Sequence, residues 1–228
     1  MTWWLSRYLR AVGDKIEQTE LTDRITVYRP AGVRLDWQLF SDFVQHDEPV
    51  EPFKSSHKRK LFRVNRAGVD CYVKKFSYRY STRFFAPFRG IALFPSIALQ
   101  QLAKILYLNS LGISTADPLF VLERRYNLVK HESCLVTRAE PGVSLRQVLK
   151  SSDDPARKRK IMQKFVADVE ILLENKIHHG DLKNPDNFLL NPQGEIVFID
   201  LDECKSRWLP WRRKIDRQQL ASLQQIYF

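Results

Sequence analysis

The stretch that most constrains this chain is His179-Gly180-Asp181-Leu182-Lys183-Asn184-Pro185-Asp186-Asn187-Phe188, followed by Phe198-Ile199-Asp200-Leu201-Asp202. Between the acidic segments lie Phe188-Leu189-Leu190, the turn formers Asn191-Pro192-Gln193-Gly194, and Glu195-Ile196-Val197-Phe198-Ile199, which is the pattern of a short β-hairpin. A hairpin brings its two ends together, so carboxylates flanking it can converge on one point. One can accept a proton from a hydroxyl while the other holds a magnesium ion, the division of labour that phosphoryl transfer needs. The plain alternative is a surface hairpin with solvated carboxylates. The joint occurrence of His-Gly-Asp-Leu-Lys, an Asn and Ile-Asp-x-Asp at this spacing argues against it.

At 228 residues the chain has room for one generous domain or two small lobes. With 44% hydrophobic and 28% charged residues it has the composition of a folded protein and not of a disordered one. No run reaches the ~18 apolar residues of a membrane span. Met1-Thr2-Trp3-Trp4-Leu5 lacks the basic start of a signal peptide, so a cytoplasmic location is expected. Cys71, Cys134 and Cys204 are far apart among strand-like residues, which suits buried free thiols better than disulfides or a metal site. The net charge of +11, from 37 Lys+Arg against 26 Asp+Glu, calls for a polyanionic partner. No zinc-finger spacing, RNA-recognition signature or helix-turn-helix pattern is present, so no nucleic acid is expected.

Trp3 to Val12 is amphipathic, with Trp3, Trp4, Leu5, Tyr8, Leu9 and Val12 interleaved by Arg7 and Arg10. Its shortness favours a first helix packed on the protein over a membrane-surface anchor. Arg24 to Arg29 alternates like a strand, Asp36 to Val44 is spaced like a helix, and Gln45 to Lys54 reads as a loop. Leu61-Phe62-Arg63-Val64 and Cys71-Tyr72-Val73-Lys74-Lys75-Phe76 read as strands joined at Arg66-Ala67-Gly68. The basic aromatic stretch from Tyr78 to Phe94 either meets an anionic surface or merely connects two elements. Pro95-Ser96 opens a helix to about Ser110, closed by Gly112. Leu119 to Leu122 and Ser133 to Thr137 are further strands. Asp154 and Pro155 start a long helix that ends near Asn175, and Asp216 to Tyr227 is a final one. Trp208 to Lys214 forms a basic aromatic cluster.

These residues resemble the protein-kinase-like fold, and within it the bacterial lipopolysaccharide core kinases, the heptose and 3-deoxy-manno-octulosonic acid kinase type. The likeness rests on Tyr72-Val73-Lys74, Leu111-Gly112-Ile113-Ser114-Thr115, Leu135-Val136-Thr137 with Glu140-Pro141-Gly142, His179-Gly180-Asp181-Leu182-Lys183 and Phe198-Ile199-Asp200-Leu201-Asp202. The resemblance implies an α+β, bilobal architecture: an antiparallel-sheet N-lobe with an N-terminal helical extension over residues 1–137, and a minimal, mainly helical C-lobe over 138–228. It implies ATP and Mg2+ as cofactors, with Asp181 as catalytic base and Asp200 as a magnesium ligand. Asp202 is an accessory carboxylate, His179 braces the loop, and Lys183 lies beside the base. Lys74 is the lysine that reaches the ATP phosphates. Ser55 and Ser56 belong to a glycine-free phosphate-covering turn, Lys54 to Lys60; Thr137 precedes, and Ala139 lies in, the hinge Arg138-Ala139-Glu140-Pro141-Gly142 at which the resemblance places adenine.

Two departures stand out. The kinase pattern puts its metal-binding Asn where this chain has Asp186, and Asn187 comes one residue later. Either the loop bulges at Asn184-Pro185 and Asn187 binds the metal, which the strand beginning at Phe188 favours, or Asp186 does. The helix that should supply a glutamate to the lysine has none, because no acidic residue occurs between Asp70 and Asp117; Gln101 is the nearest polar substitute.

The expected activity is phosphorylation of a sugar hydroxyl in the lipopolysaccharide inner core. The substrate would be an anionic, lipid-linked saccharide met by peripheral contact with the anionic cytoplasmic membrane face. A pseudokinase that binds nucleotide or a partner without transfer is the alternative that the departures raise. A cationic alcohol substrate suits the basic surface poorly.

Overall fold

Alternating apolar residues between Ile25 and Arg138 become strands of one sheet. The computed structural model describes residues 7–22, 24–45, 50–56, 59–77, 95–126, 131–151, 153–206, 217–222 and 225. The start of the amphipathic helix at Trp3, the stretch from Tyr78 to Phe94 and the Trp208 to Lys214 cluster lie outside them. The chain divides into two compact units, one from Met1–Tyr107 with Asp117–Ala139 and one from Leu108–Ala116 with Glu140–Phe228.

In chain order the first unit has α1 (Arg7–Val12), β1 (Ile16–Thr22), β2 (Ile25–Pro30), a 3-10 turn (Trp37–Phe40) and α2 (Asp42–Gln45). Then come β3 (Lys54–Ser56), β4 (Arg59–Arg66), β5 (Val69–Ser77), α3 (Ile97–Ser110, whose last three residues belong to the second unit), β6 (Pro118–Arg125) and β7 (His131–Arg138). The strands form a seven-stranded sheet in the order β1-β2-β6-β7-β5-β4-β3, antiparallel throughout. No sequence pattern announces strand β1. Its sequence, Ile-Glu-Gln-Thr-Glu-Leu-Thr, carries little apolar alternation, and it is held by pairing with β2 and by an Arg29–Glu17 bridge of 2.7 Å. The β4–β5 hairpin turns at Ala67 and Gly68, both left-handed with φ of 52° and 76°, which is the backbone that matches the twist of a two-residue hairpin loop.

The segment expected to cover the phosphates is more extended than its Ser-rich sequence suggests. Ser55 and Ser56 lie in β3, in register with Lys60 and Arg59, so pairing with β4 draws them into the sheet; His57 and Lys58 lie outside the described residues.

The face of the sheet carrying Phe62, Val64, Cys71, Val73, Phe120, Leu122, Cys134 and Val136 is covered by Phe40, Phe43 and Val44 from the 3-10 turn and α2. Edge-to-face ring pairs, Phe40–Phe120 at 5.2 Å and Phe43–Phe62 at 5.1 Å, close this core, each large side chain contributing roughly 1.5–3 kcal/mol of burial. All three cysteines are buried thiols outside any disulfide. Burial pushes the Cys71 and Cys134 thiols up to about 11 and about 12, which keeps them protonated and inert.

In the second unit β8 (Val143–Ser144), α4 (Leu145–Ser151) and α5 (Pro155–Glu174) precede β9 (Ile177–His178), β10 (Phe188–Leu190), β11 (Ile196–Phe198) and β12 (Lys205–Ser206). Asp154 caps α5 by accepting from the backbone N–H groups of Ala156 and Arg157 at 2.8 and 3.2 Å, with Pro155 at the first helical position. The helix buries Ile161, Met162, Phe165, Val169, Leu172 and Leu173, a stripe of helical period. Phe165 meets Phe188 at 4.7 Å and Phe198 at 6.2 Å, which ties α5 to the hairpin.

Half-buried on α5, Asp168 has its carboxyl pushed up to about 6 by burial, against the pull of Lys164 and with a push from Glu195. Between the ordinary carboxylate range and about 6 the folded protein holds a proton that the unfolded chain has released, so stability falls as pH rises through that window. Asp168→Asn is therefore expected to raise the unfolding free energy by about 1 kcal/mol near neutral pH, after discounting for partial exposure, and to add nothing at about pH 3.5. Urea titrations at the two pH values check it, and an equal effect at both would refute the assignment.

Candidate active site

Strand β9 delivers the chain to a loop whose conformation is set by its first residues. His179 is only 1% exposed, its ring 5.2 Å from that of Phe188 and 5.8 Å from that of Phe198. Its Nδ1 accepts a long hydrogen bond from the Asp181 N–H at 3.4 Å. It braces the loop from within the hairpin core. Gly180 has φ of +86°, and a Cβ there would lie 2.9 Å from Glu203 Cβ and 3.0 Å from the Glu203 carbonyl oxygen, so both conformation and space demand glycine. Leu182 is fully buried, and its N–H donates to Gln219 Oε1 at 3.1 Å. Lys183 is exposed.

The extra residue of the loop is taken up by a 3-10 turn, Pro185–Asn187, started by Asn184, whose side chain accepts from the Asp186 N–H. That turn sends two neighbouring side chains in different directions. Asn187, 7% exposed, points back to the loop and donates from Nδ2 to Asp181 Oδ2 at 2.9 Å, while its Oδ1 accepts from Asn184 Nδ2 at 3.1 Å. Asp186 is exposed and accepts from Arg146 Nε at 2.7 Å; Arg146 Nη2 also donates to Asn184 Oδ1 at 3.3 Å. Of the two candidate metal ligands, Asn187 is thus the one that faces Asp181.

The hairpin closes the other side. Phe188 pairs with Phe198, and the Ile199 N–H donates to the Asn187 carbonyl at 3.0 Å, which brings Asp200 to the end of the hairpin where Asn187 lies. Asp200 Oδ1 accepts from the Asp202 N–H at 3.2 Å, and Asp202 Oδ2 is buried. Among the described residues no three His, Cys, Asp or Glu side chains gather as a metal cluster. An amide oxygen and carboxylates nonetheless fit magnesium, a hard ion that usually completes its shell with water and nucleotide phosphates.

In the first unit Lys74 is half-buried on β5, in register with Leu61 and Leu135, and its ammonium lies 5.9 Å from the centre of the Phe76 ring. Lys75 points to the opposite face, buried, with Nζ 3.9 Å from Glu132 Oε2. Thr137 pairs with Tyr72 and so shares the Lys74 face. Gln101 is buried on α3. Ser55 is exposed on β3, and of Ser56 only the backbone is described. The Ala139 N–H is taken by the Asp70 carbonyl at 2.8 Å, which leaves its own carbonyl as the group it can offer a base. Arg146, Gln219 and Glu123 carry no signal in the sequence. Each acts on a residue distant in the chain, and no local pattern marks it.

The model of one protein family, the lipopolysaccharide kinase (Kdo/WaaP) family, matches residues 92–227, more than half of the chain. Among solved structures the chain is similar to one described as "WaaP in complex with acyl carrier protein", at 20% sequence identity and a TM-score of 0.57, covering 75% of this chain and 69% of that one. That likeness shows the protein-kinase-like α+β fold. No curated protein matches the sequence.

Proposed function

The chain belongs to the lipopolysaccharide kinase (Kdo/WaaP) family and is a kinase of core sugars; from that premise we propose that it moves the γ-phosphoryl group of ATP to an inner-core sugar hydroxyl at the cytoplasmic membrane face. The observation that carries this reading is the Asp181–Asn187 hydrogen bond of 2.9 Å at the end of the hairpin that also presents Asp200.

In this reading Asp181 accepts the proton of the attacking hydroxyl as the new O–P bond forms and the bond to the ADP leaving group breaks. The Asn187 amide holds the carboxylate in place. Asn187 and Asp200 would hold magnesium, which neutralises phosphate charge when bound. Lys74 would bind the ATP phosphates, and Thr137 and the Ala139 carbonyl would lie along the adenine edge. The membrane placement is supported by the net charge of +11 and by the lipid-linked nature of the substrate.

The rival reading, a kinase fold that binds nucleotide without transfer, draws on α3, which has no acidic residue. The two part in a paired experiment. Mg-ATP at about 100 times its dissociation constant is expected to stabilise the protein by about 2.7 kcal/mol in a thermal-shift titration. Labelled ATP is expected to transfer its γ-phosphate to purified core saccharide. Stabilisation without transfer would support the rival, and neither response would sink both.

A further inference from the structure

Glu123 sits near the end of β6 and is 2% exposed, a depth at which a carboxylate persists only with donors around it. Three groups supply them. The backbone N–H of Ser96, at the start of α3, donates to Oε1 at 3.0 Å. The Tyr28 hydroxyl of β2 donates to Oε2 at 3.3 Å, and Arg125 Nη2 lies 3.5 Å from the same oxygen. Ser96 in turn accepts from the Leu99 N–H at 3.1 Å, so its own side chain caps the helix while Glu123 captures the backbone just before it.

Glu123 and Lys74 share a face of the sheet. Glu123 pairs with Ser133, and Ser133 with Phe76; one step along, Val121 pairs with Leu135, and Leu135 with Lys74. The Lys74 ammonium leans over the Phe76 ring, toward the rung of the ladder that Glu123 occupies. The helix held by Glu123 therefore starts on the side of the sheet that carries the lysine.

We propose that Glu123 is a positioning residue for the nucleotide-binding face of the first unit, anchoring the start of α3 to the sheet with the carboxylate that the helix itself lacks. In protein kinases the tie between this helix and the sheet runs from a helix glutamate to the strand lysine. Here it runs the other way, from a sheet glutamate to the helix N-terminus. Tyr28 keeps that carboxylate in place: burial and the Glu123 charge push its phenol up to about 12, so it remains a donor throughout the physiological range. A second contact, between the Tyr8 ring of α1 and the Tyr107 ring of α3 at 5.5 Å, lies toward the far end of the helix. The inference rests on the reading of Lys74 as the nucleotide lysine.

The test uses the full chain with Mg-ATP and measures nucleotide dissociation constants, kinetic constants and melting midpoints for E123Q, E123A, E123D and Y28F. E123Q keeps the shape and removes the charge, and it is expected to raise KM for Mg-ATP about fivefold while leaving KM for the saccharide unchanged. E123A is expected to raise it about tenfold or more, E123D to recover part of the loss, and Y28F to shift it about twofold in the same direction. A lower melting midpoint with unchanged Mg-ATP affinity in E123Q and E123A would overturn the proposal and leave Glu123 a structural cap. If E123A does not fold, unchanged affinity in E123Q and Y28F overturns it equally. Absence of Mg-ATP binding by the unaltered protein would instead overturn the reading of Lys74, and the inference with it.

Discussion

Replacing Asp181 by Asn is expected to lower kcat for saccharide phosphorylation by about 10²–10⁴-fold, the usual contribution of a positioned general base. The substitution keeps the side-chain shape, and an amide oxygen at that position can still accept from Asn187 Nδ2, which now lies 2.9 Å from Asp181 Oδ2. Gly180 and Leu182 hold the backbone on either side independently of the carboxylate, through the close approach to Glu203 and the bond to Gln219. The dissociation constant for Mg-ATP and the melting midpoint should therefore stay near those of the unaltered protein. Single-turnover kinetics with labelled ATP would measure the loss. A rate within about threefold of the original would remove Asp181 from the chemistry.

The second large effect is a contrast between adjacent residues. Asn187→Ala is expected to lower kcat by about 10²-fold or more and to raise the magnesium concentration needed for half-maximal rate, because it removes the donor to Asp181 together with the oxygen proposed to bind the metal. Asp186→Ala should change the rate less than about twofold, since its carboxylate forms an exposed pair with Arg146, and such pairs contribute about 0–1 kcal/mol. Magnesium titrations of both variants decide the matter. The reverse pattern, with Asp186 sensitive and Asn187 silent, would transfer the metal to the carboxylate.

Much of this site is visible in the order of residues because its determinants are local. The turn residues Asn191 to Gly194 dictate a hairpin whatever surrounds it, and the Gly194 N–H indeed donates to the Asn191 carbonyl at 2.9 Å. The apolar stripe of α5 and its Asp154-Pro155 start are likewise local. The lysine strand could be read from its alternation, and the Ala67-Gly68 turn from the glycine. Strand β1 could not, because its stability comes from the partner strand and not from its own side chains.

Which of Asn187 and Asp186 faces Asp181 shows where local information ends. From the residues alone both were a carboxylate or amide within one position of the expected ligand. The outcome depends on Arg146, which draws Asp186 outward from forty residues away in the chain, and on the short 3-10 turn that absorbs the additional residue. Glu123 belongs with it: its partner Ser96 is 27 residues distant, and nothing near either residue in the chain announces the pair.

What the sequence by itself determined is therefore the chemistry available: a His-Gly-Asp loop, a hairpin, and an Ile-Asp-x-Asp segment with an asparagine beside it, features written within a few residues of one another. What only the tertiary structure decided is which neighbouring side chain faces Asp181 and what holds α3 to its sheet. Those outcomes are set by buried hydrogen bonds between distant segments, whose energies exist only after the chain has brought them together and excluded water from them.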